Sequence, residues 1–598
     1  MANQANTGDP LFGGPDDPRH ARYAAERAKR LRDDGAEQYV TADTYLADAS
    51  QETRADRAPI VRMTDAVIVG GGFGGLQAAA HLRDIGIDDL LILDKAGDFG
   101  GVWYWNRYPG AQCDIESYIY MPFLEETGHV PTEKYAHAPE IFEHARRIGR
   151  HFRLYERTLF HTQATKMTWD ETRRRWRVTT DRGDCIDARF LFTASGPLNR
   201  PKLPRINGIE RFRGHMFHTS RWDYAYTGGE NGGALHGLAD KTVAVIGTGA
   251  TAVQCVPKIA RDAKQLYVVQ RTPSIVGQRG NAPTDPRWAG SLVPGWQRER
   301  MENFNALVSG LAQDQDLVAD GWTDFFQNIF VRWRPADIDD LPPEQADRLF
   351  QEADLRLGDE TRSWIDAQVS DPAVAARLKP WYGMLCKRPT FHDSYLPSFN
   401  RPNVTLIDTE GRGLDAISED AIVSGGVEYP VDCIIFATGF EVGTQTNRSA
   451  GADIVGVGGE HLADHFAEGP RTFHGFYVHG FPNLFLLGSG NNGVRANFTD
   501  MLGEQARHIA QVIQRALASG GTRIEATAEA EDNWRKIIVD KSQPIRALLS
   551  QCTPGYASGE GDVERSWLAN TYGDGAVAFS RLLAKWWEED DMPGLSVT

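Results

Sequence analysis

Cysteine is scarce in this chain, six among 598 residues, and no two of the six stand as C-x-x-C, so spacing offers neither a zinc ribbon nor a dithiol redox centre. Cys113, Cys185, Cys255, Cys386, Cys433 and Cys552 are expected to be small buried residues or reduced bystanders, and no metal site is expected. Positive charge is in deficit too. The 64 Lys and Arg against 81 Asp and Glu leave a net charge of −17, and because a polyanion needs a local excess of cations, nucleic acid is not an expected partner. No segment approaches the roughly 18 consecutive apolar residues of a membrane helix. The opening stretch, MANQANTGDPLFGGPDDPRH, lacks the basic-then-apolar order of a secretory signal, so a protein without a membrane partner, residing in the cytoplasm, is expected. The length predicts two or three domains.

What the chain does have is glycine in two organised places. Residues 65–95 read DAVIVGGGFGGLQAAAHLRDIGIDDLLILDK: a short apolar run, then Gly70, Gly72 and Gly75 in G-x-G-x-x-G, a helix-like segment from Leu76, and a second apolar run ending in Asp94. Gly70 permits the tight turn, Gly72 lets a pyrophosphate approach the backbone at a helix N-terminus, and Gly75 lets helix and strand meet closely. Asp94 lies 24 residues after Gly70 (94 − 70), where a carboxylate can accept the ribose hydroxyls. The pattern recurs at 241–272, KTVAVIGTGATAVQCVPKIARDAKQLYVVQRT, with Gly247, Gly249 and Ala252 in the three roles. Here the residue 24 after the first glycine (271 − 247) is Arg271, followed by Thr272. A carboxylate would repel a 2′-phosphate and a guanidinium would grip it, so the first site suits an unphosphorylated ribose and the second NADPH. A solvated surface charge is the alternative for Arg271.

Two different dinucleotides on one chain suggest FAD plus NADPH. VDCIIFATGF, 431–440, reads as a strand ending in Ala437-Thr438-Gly439, a return crossing between two nucleotide domains, and TASG at 193–196 as the outward one. The expected fold is α/β, with a discontinuous FAD domain, an inserted NADPH domain, a helical insertion and a helical N-terminal extension. The division is 1–60 extension, 61–198 FAD domain, 199–275 NADPH domain, 276–383 helical insertion, 384–430 second NADPH part, and 431–598 second FAD part with a C-terminal loop. In the insertion, Pro342 and Pro343 suit a helix start, with Leu349, Phe350 and Leu355 as its apolar face. The extension is expected to pack on the outside, with its first 20 residues disordered.

FRGHMFHTSRWD, 212–223, stands just before the second glycine motif. Phe212, Gly214, His218, Trp222 and Asp223 satisfy F-x-G-x-x-x-H-x-x-x-W-[PD], which resembles the fingerprint of the type I Baeyer–Villiger monooxygenases. GGVWYWNRYPGAQCD, 100–114, is similar to a second pattern of that family. The resemblance implies that reduced FAD traps O2 as a C4a-peroxide that attacks a ketone, giving an ester or lactone. It assigns the anion-stabilising role to Arg388 in the Lys387-Arg388-Pro389 segment, its orientation to Asp114, and Lys387 to the 2′-phosphate with Arg271 and Thr272. It further implies that Phe73, Lys95, Gly101, Val102, Trp103, Tyr108, Asp114 and Tyr120 lie at the FAD, and Thr248, Ala250 and Thr251 at the NADPH. QCTPGYASGEGDVERSW near the C-terminus resembles the branch acting on macrocyclic, steroid and terpenoid ketones, and Trp567 matches a tryptophan on the family's coenzyme-covering loop. The stretch after it, LANTYGDGAVAFSRLL, departs from the family pattern.

Bland alternatives stand beside these: KRP as a solvated turn, Asp114 as a helix cap, and Trp103 and Trp105 as packing. His218 and the whole fingerprint are expected to form a linker that sets domain docking. Oxidation of an amine nitrogen or sulfide sulfur is the competing chemistry, and a non-catalytic flavin-binding interaction protein the competing class. Oligomeric state is not legible.

Overall fold

The computed structural model describes residues 17–46, 54–332, 342–443, 446–488, 490–589 and 591–598. Two sheets organise them. The first runs, strand by neighbouring strand, Asp453–Val455, Ala164–Asp170, Arg175–Thr180, Cys185–Thr193, Val61–Val69, Leu90–Leu93 and Thr158–Leu159, with Leu484–Leu486 pairing in parallel with Cys185–Thr193. The end of Val61–Val69 is buried on both faces, which is what its unbroken apolar run at 66–69 requires. The second sheet is wholly parallel, in the order Val404–Asp408, Gln265–Gln270, Thr242–Ile246, Cys433–Phe436 and His215–His218. The α/β class with two nucleotide-type sheets is as expected. Among the described residues no helix is long and apolar enough to cross a membrane.

The two sheets open in the same way. Gly70 and Gly247 hold φ of 115° and 116°, and a Cβ on either would collide with a backbone oxygen, that of Ala194 at Gly70 and of Ala437 at Gly247. Each crossing turn, TASG and ATG, therefore closes on the first glycine of one motif. The two crossings also touch each other: Pro201 bridges Phe440, and Lys202 N–H donates to the Gly439 carbonyl at 3.0 Å. Because Cys433–Phe436 pairs with Thr242–Ile246, the second sheet takes its strand from beyond residue 430, so the return crossing lies at 437–439 as read, and the domain boundary drawn at 431 moves to it. At Gly75 a Cβ would overlap the Gly70 carbonyl oxygen. Gly75→Ala is expected to force the helix Phe73–Asp84 off its strand at a cost of about 1–3 kcal/mol and to strip the protein of flavin; a purified variant with full flavin absorbance and unchanged Tm would refute this.

Three expectations need correction. FRGHMFHTSRWD is not only a linker, since His215–His218 is the edge strand of the second sheet, paired with Cys433–Phe436. Four residues between a glycine and a polar turn are too short to show a pattern. The N-terminal extension is not merely an outer layer. Residues 1–16 lie outside the described residues, but Pro18 to His20 already belong to the helix Pro18–Ala28, capped by Asp17. That helix docks on the long helix Pro343–Gln368 through Arg19 and Asp359 at 2.5 Å, and Arg22 lies 3.4 Å over the Trp381 ring. Tyr39–Thr41 then pairs antiparallel with Lys202–Pro204, stitching the extension to the first crossing. Finally, Cys386 and Cys552 form a disulfide, with Cα atoms 5.1 Å apart and 166 residues between them in sequence. Cys113, Cys185, Cys255 and Cys433 are free.

The described residues of 276–383 are mainly helical as expected, with helices Trp296–Val308, Gly321–Phe330, Pro343–Gln368 and Pro372–Leu378. Leu355 is buried, and Phe350 stacks on Phe330.

Candidate active site

Gly72 and Gly249 are the N-cap residues of the helices Phe73–Asp84 and Ala250–Asp262. The first-turn amides of such helices are the donors that a pyrophosphate requires. Both turns open into one cavity of about 1240 Å³, and every site residue named from the sequence lines it except Gly75 and Ala252. Those two hold the third position of each motif, which serves helix–strand contact and not the ligand.

At the first turn, the buried Asp94 accepts from Gly71 N–H at 2.5 Å and from Ala96 N–H at 2.7 Å. Burial pushes its carboxyl pKa up, against these two bonds. Each oxygen keeps a lone pair for a ribose hydroxyl. Lys95 Nζ donates to Asn199 Oδ1 at 2.6 Å. Gly101, with φ of 53°, stands against Gly72, so the glycines of the two flavin-side motifs meet where a side chain on either would intrude. Val102 opens the helical turn Val102–Trp105. Trp103 Nε1 donates to the Tyr120 hydroxyl at 2.9 Å, and Tyr108 reaches the second nucleotide helix through Gln254 at 2.8 Å.

The fingerprint residues lie where the two halves adjoin. His218 is buried, its Nδ1 accepts from Ser220 N–H at 3.1 Å, and its ring meets Phe440 edge-on at 5.6 Å beside the return crossing. Burial lowers its imidazole to about 3, so it is neutral. Trp222 donates to Thr227 at 3.0 Å, Asp223 caps the turn Tyr224–Thr227, and Arg221 lies 3.7 Å over the ring of Trp105 on the flavin side.

At the second turn, Thr248 donates to the Thr272 carbonyl at 2.7 Å. Arg271 donates to Gln38 at 2.5 Å and pairs with Glu560 at 3.4 Å. Lys387 donates to the Pro554 carbonyl at 3.0 Å, and burial together with the Arg271 charge lowers its ammonium to about 8. Arg271 as a free surface charge is therefore excluded.

Arg388 and Asp114 come together from 274 residues apart, Arg388 Nη2 donating to Asp114 Oδ2. The N-cap position of the short helix Ser117–Tyr120 is Glu116 and not Asp114, so Asp114 is no helix cap. Burial opposes the charge on Arg388, Asp114 and Tyr556 favour it, and the balance holds the guanidinium above its ordinary value. Its charge centre stands 5.5 Å from the Trp322 ring. The arrangement is a permanent cation, aimed by a carboxylate, on the wall of a cavity that both nucleotide turns share.

Several cavity residues were not read from the sequence. Gln38 and Tyr39 come from the extension, Lys202 from the first crossing, and Glu560 from the C-terminal segment. Arg279 is buried beside the pair, donating to Gln112, with burial lowering its pKa against the pull of Asp114. Trp322, Phe326 and Phe330 sit at i, i+4 and i+8 of the helix Gly321–Phe330 and stack with centroids 6.1 and 5.9 Å apart, facing the cavity. Their spacing was visible in the sequence; the surface they face was not. Trp567 also lines the cavity.

The model of the family described as pyridine nucleotide-disulphide oxidoreductase matches residues 67–305. Baeyer-Villiger monooxygenase 4 of Dietzia sp. is 47% identical over 585 residues, covering 97% of this chain and 95% of that protein. The solved polycyclic ketone monooxygenase of the thermophilic fungus Thermothelomyces thermophila is 37% identical with a TM-score of 0.89, over 97% of this chain and 98% of that one. The structure of OTEMO in complex with FAD and NADP is 28% identical with a TM-score of 0.72, over 91% of this chain and 100% of that one. With two nucleotide turns, an Arg–Asp pair between them and this likeness along nearly its whole length, the chain belongs to the Baeyer–Villiger monooxygenases.

Proposed function

We propose that this chain uses FAD, NADPH and O2 to convert a bulky, ring-fused ketone to its ester or lactone. The observation that carries the reading is the Arg388–Asp114 pair on the wall of the cavity shared by the two glycine turns. When bound and reduced by NADPH, FAD would supply the activation of O2, one atom of which enters the product while the other leaves as water.

The chain's own residues then act as follows. The turn at Gly70–Gly75 with Asp94 binds one dinucleotide, and the turn at 247–252 with Arg271, Thr272 and Lys387 binds the other. Arg388 stays charged at any working pH and presents several donors to negative charge developing on a neighbouring oxygen. Asp114 fixes the direction of that fork, so little reorganisation is needed when the charge appears. Trp322, Phe326 and Phe330 line the cavity with a row of near-parallel rings about 12 Å long, two of the stacked spacings, which suits a rigid fused-ring skeleton better than a single small ring. The fungal relative named for polycyclic ketones supports that choice.

The test is a panel of monocyclic, macrocyclic and fused-ring ketones, plus one sulfide, incubated with NADPH and air. Fused-ring ketones are expected to gain one oxygen atom with one NADPH consumed per product and the highest kcat/KM. Preferred turnover of the sulfide, or of a small monocyclic ketone, would sink the reading.

A further inference from the structure

Glu560 occupies an unusual position. It lies between Gly559 and Gly561, and all three residues have positive φ, 59°, 57° and 104°, a region a glutamate enters at a conformational cost. Its amide donates to the Gly555 carbonyl at 2.8 Å, and its side chain is buried. The carboxylate it delivers meets cations from three distant parts of the chain. Oε1 lies 3.2 Å from Lys202 Nζ, Oε2 lies 3.4 Å from Arg271 Nη2, and the Lys387 charge acts on it as well. Burial alone would raise its pKa, but these cations outweigh burial and hold it lowered, so it sits there as an anion.

Arg271 and Lys387 are the residues that read a 2′-phosphate in the account above. A guanidinium and two ammonium groups converging on one pair of oxygens form a phosphate-type receptor. A buried carboxylate and a phosphate dianion cannot share it, because like charges at contact in a low-dielectric site repel strongly.

Resting on the reading of Arg271 as the 2′-phosphate ligand, we propose that Glu560 is an internal stand-in for the coenzyme's 2′-phosphate, competing with it for Arg271, Lys202 and Lys387. The competitor partly offsets the charge of the three cations and keeps their geometry assembled. It also lowers affinity for the phosphorylated coenzyme selectively, and this favours release of NADP⁺ after turnover. Glu560 thus tunes coenzyme specificity from the C-terminal segment, 289 residues beyond the arginine it competes for (560 − 271).

The experiment measures binding of adenosine 2′,5′-bisphosphate and adenosine 5′-monophosphate to the FAD-loaded full-length protein by isothermal titration calorimetry. Wild type, Glu560→Gln, Glu560→Ala and Arg271→Ala are compared, each checked for flavin absorbance. Both Glu560 variants are expected to bind the bisphosphate about tenfold more tightly or better, with monophosphate affinity little changed. Bisphosphate binding that is unchanged or weaker in Glu560→Gln would mean that the carboxylate holds the cations in place without competing, and would overturn the proposal. Equal tightening for both ligands would overturn it too, since the segment would then block the whole nucleotide. If Arg271→Ala keeps the wild-type preference for the bisphosphate, the reading of Arg271 itself fails and the proposal falls with it.

Discussion

Arg388→Ala is expected to cut ketone oxygenation by about 10²–10³-fold in kcat, equivalent to about 2.7–4 kcal/mol of lost anion stabilisation. Truncation removes the guanidinium that donates to Asp114 and leaves that carboxylate with the buried Arg279 nearby. FAD should still load, because neither glycine turn contacts the removed guanidinium through a hydrogen bond. Arg388→Lys should recover little, since an ammonium offers a point charge where the site is built around a planar fork. The measurement is product formation at saturating NADPH, with flavin content read from the absorbance of the same sample. Wild-type product formation in the alanine variant would remove Arg388 from the chemistry.

Arg271→Ala is expected to weaken NADPH by about 2–5 kcal/mol, the usual cost of truncating one partner of a buried, hydrogen-bonded charge pair, with NADH affected far less. The reason is local. Arg271 ends the strand Gln265–Gln270, Arg30 fixes its carbonyl and the Thr272 hydroxyl at 3.1 Å each, and Gln38 accepts from its guanidinium. The side chain is thus held in one direction before coenzyme arrives, and this is the condition under which a charged hydrogen bond contributes most. KM values for the two coenzymes, measured on wild type and variant, decide it; a parallel rise for NADH would mean that Arg271 supports the fold of the pocket and not the phosphate.

The parts of this site that could be read before the structure are those written in neighbouring residues. G-x-G-x-x-G followed by a residue 24 positions on encodes a strand, a turn, a helix and a strand end, all local, and both copies fold that way. Arg388 and Asp114 were nameable because each stands in a dense short pattern, although neither pattern says that they meet across 274 residues. Contacts made by single residues of distant segments leave no such trace. Nothing near Gln38 hints at Arg271, nothing near Glu560 hints at Lys202, and Cys386 and Cys552 carry no spacing rule at a separation of 166 residues. FRGHMFHTSRWD shows the opposite limit: its pattern was diagnostic of family while its local structure, an edge strand, was misread. A four-residue strand is held by its partner Cys433–Phe436 and not by its own preference.

The Cys386–Cys552 bridge changes how the cavity can open. Cys386 directly precedes Lys387 and Arg388, and Cys552 stands four residues before Tyr556 (556 − 552), so two walls that meet at the reacting end are welded into a single body. A welded corner cannot act as a door. The helix Gly321–Phe330, whose Phe325 and Ile329 pack in the same apolar cluster as the two bridged cysteines, is seated on that body with its ladder of rings. The ladder of rings therefore rests on the braced corner.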